Sequence, residues 1–189
     1  MATLRVLLVL PLFVALRVEA TGKCNQDIIN KILAQNNCPT GVLQKLHDLG
    51  VFTQAALPAV EVPSVVQCWD GAIDAPTGSS ASSYARIFFK DGSVKTVEYT
   101  TQEQTCGQIT DTYEGSSYNI YFLNVSEYGA CYYRCSDNIE TAGEDFGGCL
   151  VPISAAQDPA AQAAIATCKQ SLADVGVTTQ LQDLQLCTQ

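Results

Sequence analysis

The sequence predicts a mainly β protein: an antiparallel up-and-down β-meander or barrel, with short N-terminal helices and a C-terminal helix packed on the outside. With those helices it is α+β by content. All eight tyrosines lie between Tyr84 and Tyr133, and aromatic residues in short runs between turns are typical of strands. Apolar residues recur at helical spacing on both sides of this region. Nine cysteines follow an apparent export signal, which favours a disulfide-bonded domain.

Residues 1–20 have the pattern of a signal peptide. Arg5 precedes an apolar run over residues 6–16, and Val18-Glu19-Ala20 supplies the small-x-small pattern of a cleavage site. The apolar run has about half the length of a membrane-spanning helix. We therefore expect a secreted, extracellular protein that begins near Thr21 and forms one disulfide-rich domain over residues 21–189.

The charge of the chain narrows the range of partners. Asp and Glu number 19 against 10 Lys and Arg, and the formal net charge is −9 at pH 7. Such a charge repels nucleic-acid phosphates and anionic lipid, so we expect neither a nucleic-acid nor a membrane partner. The acidic residues are scattered singly, which indicates a soluble surface rather than a cation site.

Two short helices are predicted within residues 24–57. The first carries Asp27 near its start, and its apolar stripe is Ile28, Ile29, Ile32 and Leu33. The Cys-Pro-Thr-Gly sequence at 38–41 interrupts it. The second helix covers residues 42–49 and ends at Gly50.

Seven strands are predicted between the helical regions. The junction Lys90-Asp91-Gly92-Ser93 is the clearest hairpin, because Asp-Gly accommodates the positive φ angles of a tight turn. Seven strands are one short of a standard eight-stranded barrel. The predicted runs are 64–69, 83–90, 93–101, 107–113, 118–125, 130–135 and 146–153.

A third helix is predicted to follow the strands. Asp158 is a suitable N-cap and Pro159 suits the first helical position. Gly176 ends the helix, and residues 177–189 form a tail that closes at Cys187. The predicted buried stripe is Ala164, Ile165, Cys168 and Leu172.

An odd number of cysteines allows at most four disulfides. The remaining thiol is either buried or paired to another chain, so a disulfide-linked dimer stays open. Cys131 and Cys135 point the same way on one strand about 13 Å apart, so each needs a separate partner. A Cys-x3-Cys pair without a nearby histidine is weak evidence for zinc, and we expect no metal. The nine are Cys24, Cys38, Cys68, Cys106, Cys131, Cys135, Cys149, Cys168 and Cys187.

Two stretches of the chain resemble a known family. Residues 164–177 and 181–187 resemble the C-terminal helix and cysteine-ended tail of lipocalins, especially secreted arthropod lipocalins. Residues 121–135 resemble the lipocalin hairpin built around Thr-Asp-Tyr, with Ser126-Glu127-Tyr128 at those positions. The Gly-x-Trp motif of the first lipocalin strand is degenerate, because the only tryptophan lies in Gln67-Cys68-Trp69. The usual arginine before the C-terminal helix is missing from residues 149–152.

The resemblance implies an eight-stranded barrel, closed at one end, that carries or scavenges a small hydrophobic ligand. It also implies a disulfide from Cys24 or Cys38 to the strand of Cys131, and another from Cys187 to Cys68 or Cys106. It calls for no cofactor.

Strand alternation suggests which residues line the barrel. Tyrosine suits a binding wall, because a flat apolar ring carries a hydroxyl that can orient a polar ligand end. Ordinary sheet packing is the alternative for the same residues. The predicted wall residues are Ile87, Phe89, Val97, Tyr99, Ile109, Tyr113, Tyr121 and Tyr132.

The sequence gives little support for catalysis. His47 is the only histidine and lies beside Asp48 on a short amphipathic helix, which is typical of a solvated position. Acid pairs such as Glu98 with Glu103 or Asp111 with Glu114 are common on strands and turns. Nucleophile-elbow and phosphate-loop motifs are missing from the sequence, and we expect a non-enzyme.

Two further features complete the predictions. Asn124-Val125-Ser126 is a glycosylation sequon, usable if Asn124 points outward. Besides a carrier, the sequence is compatible with a disulfide-hardened structural protein of an extracellular matrix. It is also compatible with a secreted inhibitor that uses surface loops such as residues 71–83.

Overall fold

The computed structural model describes residues 24–35, 38–136 and 145–187. The predicted signal peptide, residues 1–20, lies outside the described residues. The described residues form three α-helices: α1 (Gln26–Gln35), α2 (Val42–Asp48) and α3 (Pro159–Val175). Not one of the described helices has the length and apolar content needed to cross a membrane. The strands are β1 (Phe52–Pro58), β2 (Val66–Ile73), β3 (Ser80–Phe89), β4 (Val94–Glu103), β5 (Gln108–Tyr113), β6 (Ser116–Ser126), β7 (Gly129–Cys135), β8 (Phe146–Pro152) and β9 (Leu181–Asp183).

Eight strands form a closed antiparallel barrel. From β2 to β8 each strand pairs with the next along the chain, and β1 closes the sheet by pairing with both β8 and β2. Strand β1 pairs with β2 only at Phe52 and Thr53. The short strand β9 pairs with the rest of that edge of β1, over Ala56–Pro58. The mainly β barrel with an external C-terminal helix is therefore confirmed.

Strand β1 corrects the prediction that residues 24–57 are helical. Its sequence, Phe-Thr-Gln-Ala-Ala-Leu-Pro, shows no alternation because Ala55, Ala56 and Leu57 are all buried. A short strand buried on both sides carries no period of two. Strand β2 runs to Ile73 rather than ending at Trp69, and the predicted surface loop at 71–83 is largely occupied by the ends of β2 and β3.

Helix α2 closes one end of the barrel. Both oxygens of the Glu103 carboxylate, at the end of β4, accept hydrogen bonds from the first amides of the helix, Val42 N at 2.8 Å and Leu43 N at 3.2 Å. The Nδ1 of His47 donates to the carbonyl of Ile73 at 2.8 Å. His47 thus joins α2 to β2, which corrects the interpretation of a solvated position.

Helices α1 and α3 pack on the outer face of the barrel. Ile28, Ile29 and Ile32 of α1 share an apolar core with Ile165 and Leu172 of α3 and with strands β7 and β8. Gly147 of β8 makes this approach possible, because an added Cβ would lie 2.7 Å from both methyls of Leu172. As predicted, α3 begins at the Asp158 cap, which accepts from Ala160 N at 2.8 Å, and ends at Gly176 with φ of 100°.

Four disulfides join the termini to the barrel. The pairs are Cys24–Cys135, Cys38–Cys106, Cys68–Cys187 and Cys131–Cys168. Cys24 therefore reaches the strand of Cys131, and Cys187 returns to Cys68, as the resemblance implied. Cys131 and Cys135 have separate partners, as their spacing required.

Cys149 is the cysteine without a disulfide. It is 1% exposed, lies directly opposite Cys131 on the neighbouring strand, and its sulfur is 2.6 Å from that of Cys168. Burial raises the pKa of the Cys149 thiol to about 12. This thiol cannot reach another chain in the folded protein, so the disulfide-linked dimer is not supported.

We expect Glu103→Ala to lower the free energy of unfolding by about 1–3 kcal/mol, because two amides of α2 lose a charged acceptor. Chemical denaturation measures the change. Glu98→Ala, at an exposed position on the same strand, is the matched control and should change stability by less than about 0.5 kcal/mol. Equal effects of the two substitutions would contradict this role of Glu103.

Candidate ligand-binding cavity

The barrel encloses a cavity of about 180 Å³. All eight barrel strands contribute to its wall, and Leu46 of α2 contributes from the closed end. An engineered apolar cavity of about 150 Å³ is large enough to bind benzene. The barrel interior is therefore large enough for a ring-sized molecule.

Apolar side chains form the part of the wall near α2. Ile73, Ile109, Phe122 and Leu150 belong to one buried cluster with Leu46. Apolar surface of this kind binds through the loss of water contact, which scales with buried area and has no preferred direction. This region selects a ligand by size and shape rather than by polarity.

Tyr132 crosses the interior above Gly148. An added Cβ at Gly148 would lie 2.4 Å from the Tyr132 Cζ, so only glycine leaves room for the ring. The Tyr132 hydroxyl donates to Gln54 Oε1 at 3.1 Å, and burial raises the pKa of this phenol above its ordinary value. Phe122 and Phe146 hold the ring in place, with centroids at 6.2 Å and 6.5 Å.

A row of three polar side chains lies on strands β3, β4 and β5. The Oγ of Ser83 is 2.6 Å from the Oγ1 of Thr101, which in turn donates to the Oδ1 of Asp111 at 2.6 Å. All three residues line the cavity, and Thr101 is fully buried between the other two. The cavity therefore combines an apolar region with one polar region.

Asp111 and Arg134 are the charged groups beside this polar row. Burial raises the pKa of Asp111 to about 6 from 3.8, while the Thr101 hydrogen bond and the Arg134 charge oppose the rise. The Arg134 guanidinium lies 3.8 Å from the ring centroid of Tyr118 and 5.4 Å from that of Phe146. A charged group stacked on aromatic rings keeps its charge with little water around it.

The structure places three of the eight predicted wall residues on the cavity, namely Tyr99, Ile109 and Tyr132. Four more lie on the cavity-facing side of their strands by alternation but beyond the cavity itself: Ile87, Phe89, Val97 and Tyr113. Tyr113 packs against Tyr99 with ring centroids 5.7 Å apart.

Tyr121 does not line the cavity, which corrects its assignment to the wall. It packs on the outer core with its ring 6.4 Å from that of Tyr133. Its neighbour Phe122 faces inward instead, directly opposite Tyr132. A shift of one residue along a strand exchanges the two faces, and the strand register, which the sequence does not reveal, decides between them.

Sequence reasoning also missed the polar row and Arg134. Asp111 was considered only as an acid beside Glu114, yet alternation places it with Ile109, a predicted wall residue. Charged residues at inward positions of strands are the signal that could have identified the site. Within the described ranges, His, Cys, Asp and Glu do not gather in groups of three or more that could hold a metal ion.

Comparison with known proteins relates this architecture to solved structures. Apocrustacyanin A1 from lobster is 20% identical, with a TM-score of 0.60 over 88% of this chain and 90% of that chain. Insecticyanin from the tobacco hornworm Manduca sexta is 13% identical, with a TM-score of 0.60 over 77% and 80%. These neighbours are lipocalins. The chain has the lipocalin fold.

Japanin from Rhipicephalus appendiculatus, solved bound to cholesterol, is a further lipocalin neighbour. It is 7% identical, with a TM-score of 0.54 over 76% of this chain and 96% of that chain. No protein-family model matches the sequence, and no curated protein matches it. The likeness is one of fold, carried by structure rather than by sequence.

The structure shows that the first barrel strand does not contain the tryptophan compared with the Gly-x-Trp motif. The first barrel strand is β1, and Gly50-Val51-Phe52 stands at its start, with Gly50 at a φ of 66°. Phe52 lines the cavity. Trp69 lies on β2, so its comparison with the motif was wrong, although it too borders the cavity.

We expect Asp111→Asn to make the protein more stable relative to wild type as pH rises from 4 to 7. The raised pKa of Asp111 means that ionisation costs the folded state up to about 3 kcal/mol above pH 6, and below pH 4 the cost disappears. Asparagine keeps the acceptor for Thr101. Thermal unfolding at several pH values measures the difference.

Asp91→Asn is the control. The Asp91 carboxylate in an exposed turn accepts from Ser93, which lowers its pKa, so its loss should act in the opposite direction with pH. A constant stability difference for Asp111→Asn between pH 4 and 7 would contradict the assignment of a desolvated carboxyl group.

Proposed function

We propose that this protein is a secreted carrier or scavenger that holds one small, largely apolar ligand inside its barrel. The observation that carries the proposal is the cavity of about 180 Å³ with apolar walls and one polar region. Ligand sites in proteins are concave and mainly apolar, with a few polar groups that fix orientation. Binding rather than catalysis is the role that such a cavity supports.

The structural neighbours support the same role. Japanin was solved with cholesterol bound. Another neighbour, Ex-FABP, is described as a siderocalin that functions through dual ligand specificities, and it aligns with a TM-score of 0.55. The fold therefore accommodates different ligands, and the residues of this cavity must decide which one this chain takes.

The export pattern of residues 1–20 and the disulfides support an extracellular location. Four disulfides from distant parts of the chain form readily in an oxidising compartment. Residues 1–20 carry the export pattern. A secreted carrier must stay folded outside the cell. The disulfides that join the ends of the chain to the barrel oppose local unfolding there.

Asn124 is available for glycosylation in this proposal. It is exposed on β6, close to the turn that joins β6 to β7. A glycan there would project from the outside of the barrel and leave the cavity free.

A structural role and an inhibitory role receive less support. Neither role requires an internal cavity. The loop considered for an inhibitor, residues 71–83, is shortened to the connection between Ile73 and Ser80.

We expect Ala85→Phe to weaken the binding of ethylbenzene at least tenfold, because Ala85 lines the cavity and a phenyl ring there occupies the space of the ligand. Titration followed by Trp69 fluorescence measures the affinity, since Trp69 is the only indole and borders the cavity. Ala163→Phe, exposed on α3, is the matched control and should bind as wild type does. Equal affinity of the two variants, or failure of the wild type to bind, would overturn the carrier function.

A further inference from the structure

We propose that the ligand is a neutral, ring-sized molecule that donates a hydrogen bond from a hydroxyl group to Asp111. This inference rests on the proposed carrier function and names the class of ligand for the same cavity. It depends on the direction of the hydrogen bonds in the polar row, on the charges beside it and on the size of the cavity.

The polar row offers only acceptors to the cavity. Thr101 uses its single hydroxyl proton to bond Asp111 Oδ1, so the proton in its contact with Ser83 must come from Ser83. Both hydroxyl protons are thus consumed within the row. A ligand that meets this region gains a hydrogen bond only if it brings the proton itself.

The second oxygen of Asp111 is the acceptor that remains. Among the described residues, none donates to Asp111 Oδ2. Buried side-chain oxygens and nitrogens of the described residues all have hydrogen-bond partners, so this oxygen must border open space, and Asp111 lines the cavity. Water can reach this oxygen in the free protein, and a ligand hydroxyl would replace that water as its hydrogen-bond donor.

Charge favours a neutral ligand. Arg134 lines the same cavity as Asp111, and the two are close enough for the guanidinium charge to act on the carboxyl group. Arg134 forms no ion pair with an acid of the described chain. A cationic ligand would be attracted by Asp111 and repelled by Arg134, and an anionic ligand would meet the reverse. A neutral donor avoids both penalties.

The size and the wall of the cavity favour a ring. The volume of about 180 Å³ lies below the roughly 300–1,000 Å³ of drug-sized pockets and just above that of a benzene-binding cavity. Aromatic side chains surround it, among them Tyr99, Phe122 and Tyr132. A single ring with a short hydroxyl-bearing substituent matches these limits.

The site should lose its preference for a donor on acidification. Protonated Asp111 becomes a donor itself, so a ligand hydroxyl loses its acceptor as pH falls through about 6. Ordinary tyrosines ionise far above this range. The other charged or titratable groups on the cavity wall are Arg134, Asp70 (paired with Arg86), the partly buried Glu61, Tyr84, Tyr99 and Tyr132, while Tyr113 and Tyr118 pack against Tyr99 and Arg134.

Three matched probes test the proposal by isothermal titration calorimetry on the full mature protein: benzyl alcohol, benzyl methyl ether and ethylbenzene. At pH 7.5 we expect benzyl alcohol to bind at least tenfold more tightly than the ether, which can only accept. The ratio should approach one at pH 5. A fourth probe, benzylamine in its protonated form (benzylammonium), should bind more weakly than benzyl alcohol.

Asp111→Asn is the diagnostic variant. The amide can accept from Thr101 while its N–H₂ group faces the cavity, so this variant should prefer the ether, or at least lose the preference for the alcohol. Asp91→Asn, in an exposed turn, should bind all probes as wild type does. Thermal unfolding checks that both variants are folded.

The outcomes separate the two proposals. If the protein binds ethylbenzene, and binds benzyl alcohol and benzyl methyl ether with equal affinity, the preference for a donor is wrong and the carrier function still stands. A preference for the alcohol that persists in Asp111→Asn, or tighter binding of benzylammonium, would also overturn the assignment. Failure of every probe to bind would overturn the carrier function, and this inference with it.

Discussion

Closure of the sheet by β1 is the constraint on which the rest of the structure depends. Without it the eight strands would leave two open edges and no enclosed interior. The seam between β1 and β2 is narrow, since only Phe52 and Thr53 pair across it. Thr53, fully buried, strengthens it by donating to the Trp69 carbonyl at 2.8 Å and accepting from Cys187 N at 3.2 Å. The Cys68–Cys187 disulfide and strand β9 then fasten the tail across this same seam.

The cavity exists because the end of the barrel is closed to solvent while its interior is left unfilled. Glu103 holds α2 against the end of the barrel, which keeps solvent from entering there. Inside, small residues such as Gly71 and Ala85 line the cavity and contribute little side-chain volume, which keeps the strands from filling the interior by themselves. An ordinary core of this size would be packed to the density of an organic crystal. The enclosed space is therefore specified by particular positions and does not follow from the fold alone.

Much of the fold could be predicted from the sequence, because local signals were strong. The tyrosine-containing runs marked β3 to β7, the apolar run at 146–153 marked β8, and Asp158 and Gly176 bounded α3. Strand β1 could not be predicted, since burial on both sides removes the alternation that reveals a strand. The residues of the ligand-binding cavity were harder to predict from the sequence than the strands were. Tyr121 and Phe122 are adjacent, and only the pairing of β6 with β7 decides which faces inward. Thr101 and Asp111 lie directly opposite each other on the neighbouring strands β4 and β5, and only the register of that pairing brings them together.

The arrangement of Cys131, Cys149 and Cys168 has a consequence for how the protein matures. Two neighbouring strands each offer a sulfur to the same helical cysteine. A bridge from Cys168 to either strand would hold α3 in nearly the same place, so a wrong choice during oxidation would do little harm to the architecture. Exchange between the two would need the buried thiol to ionise, which its surroundings oppose. The single cysteine of the outer helix thus has two barrel cysteines within reach, on neighbouring strands.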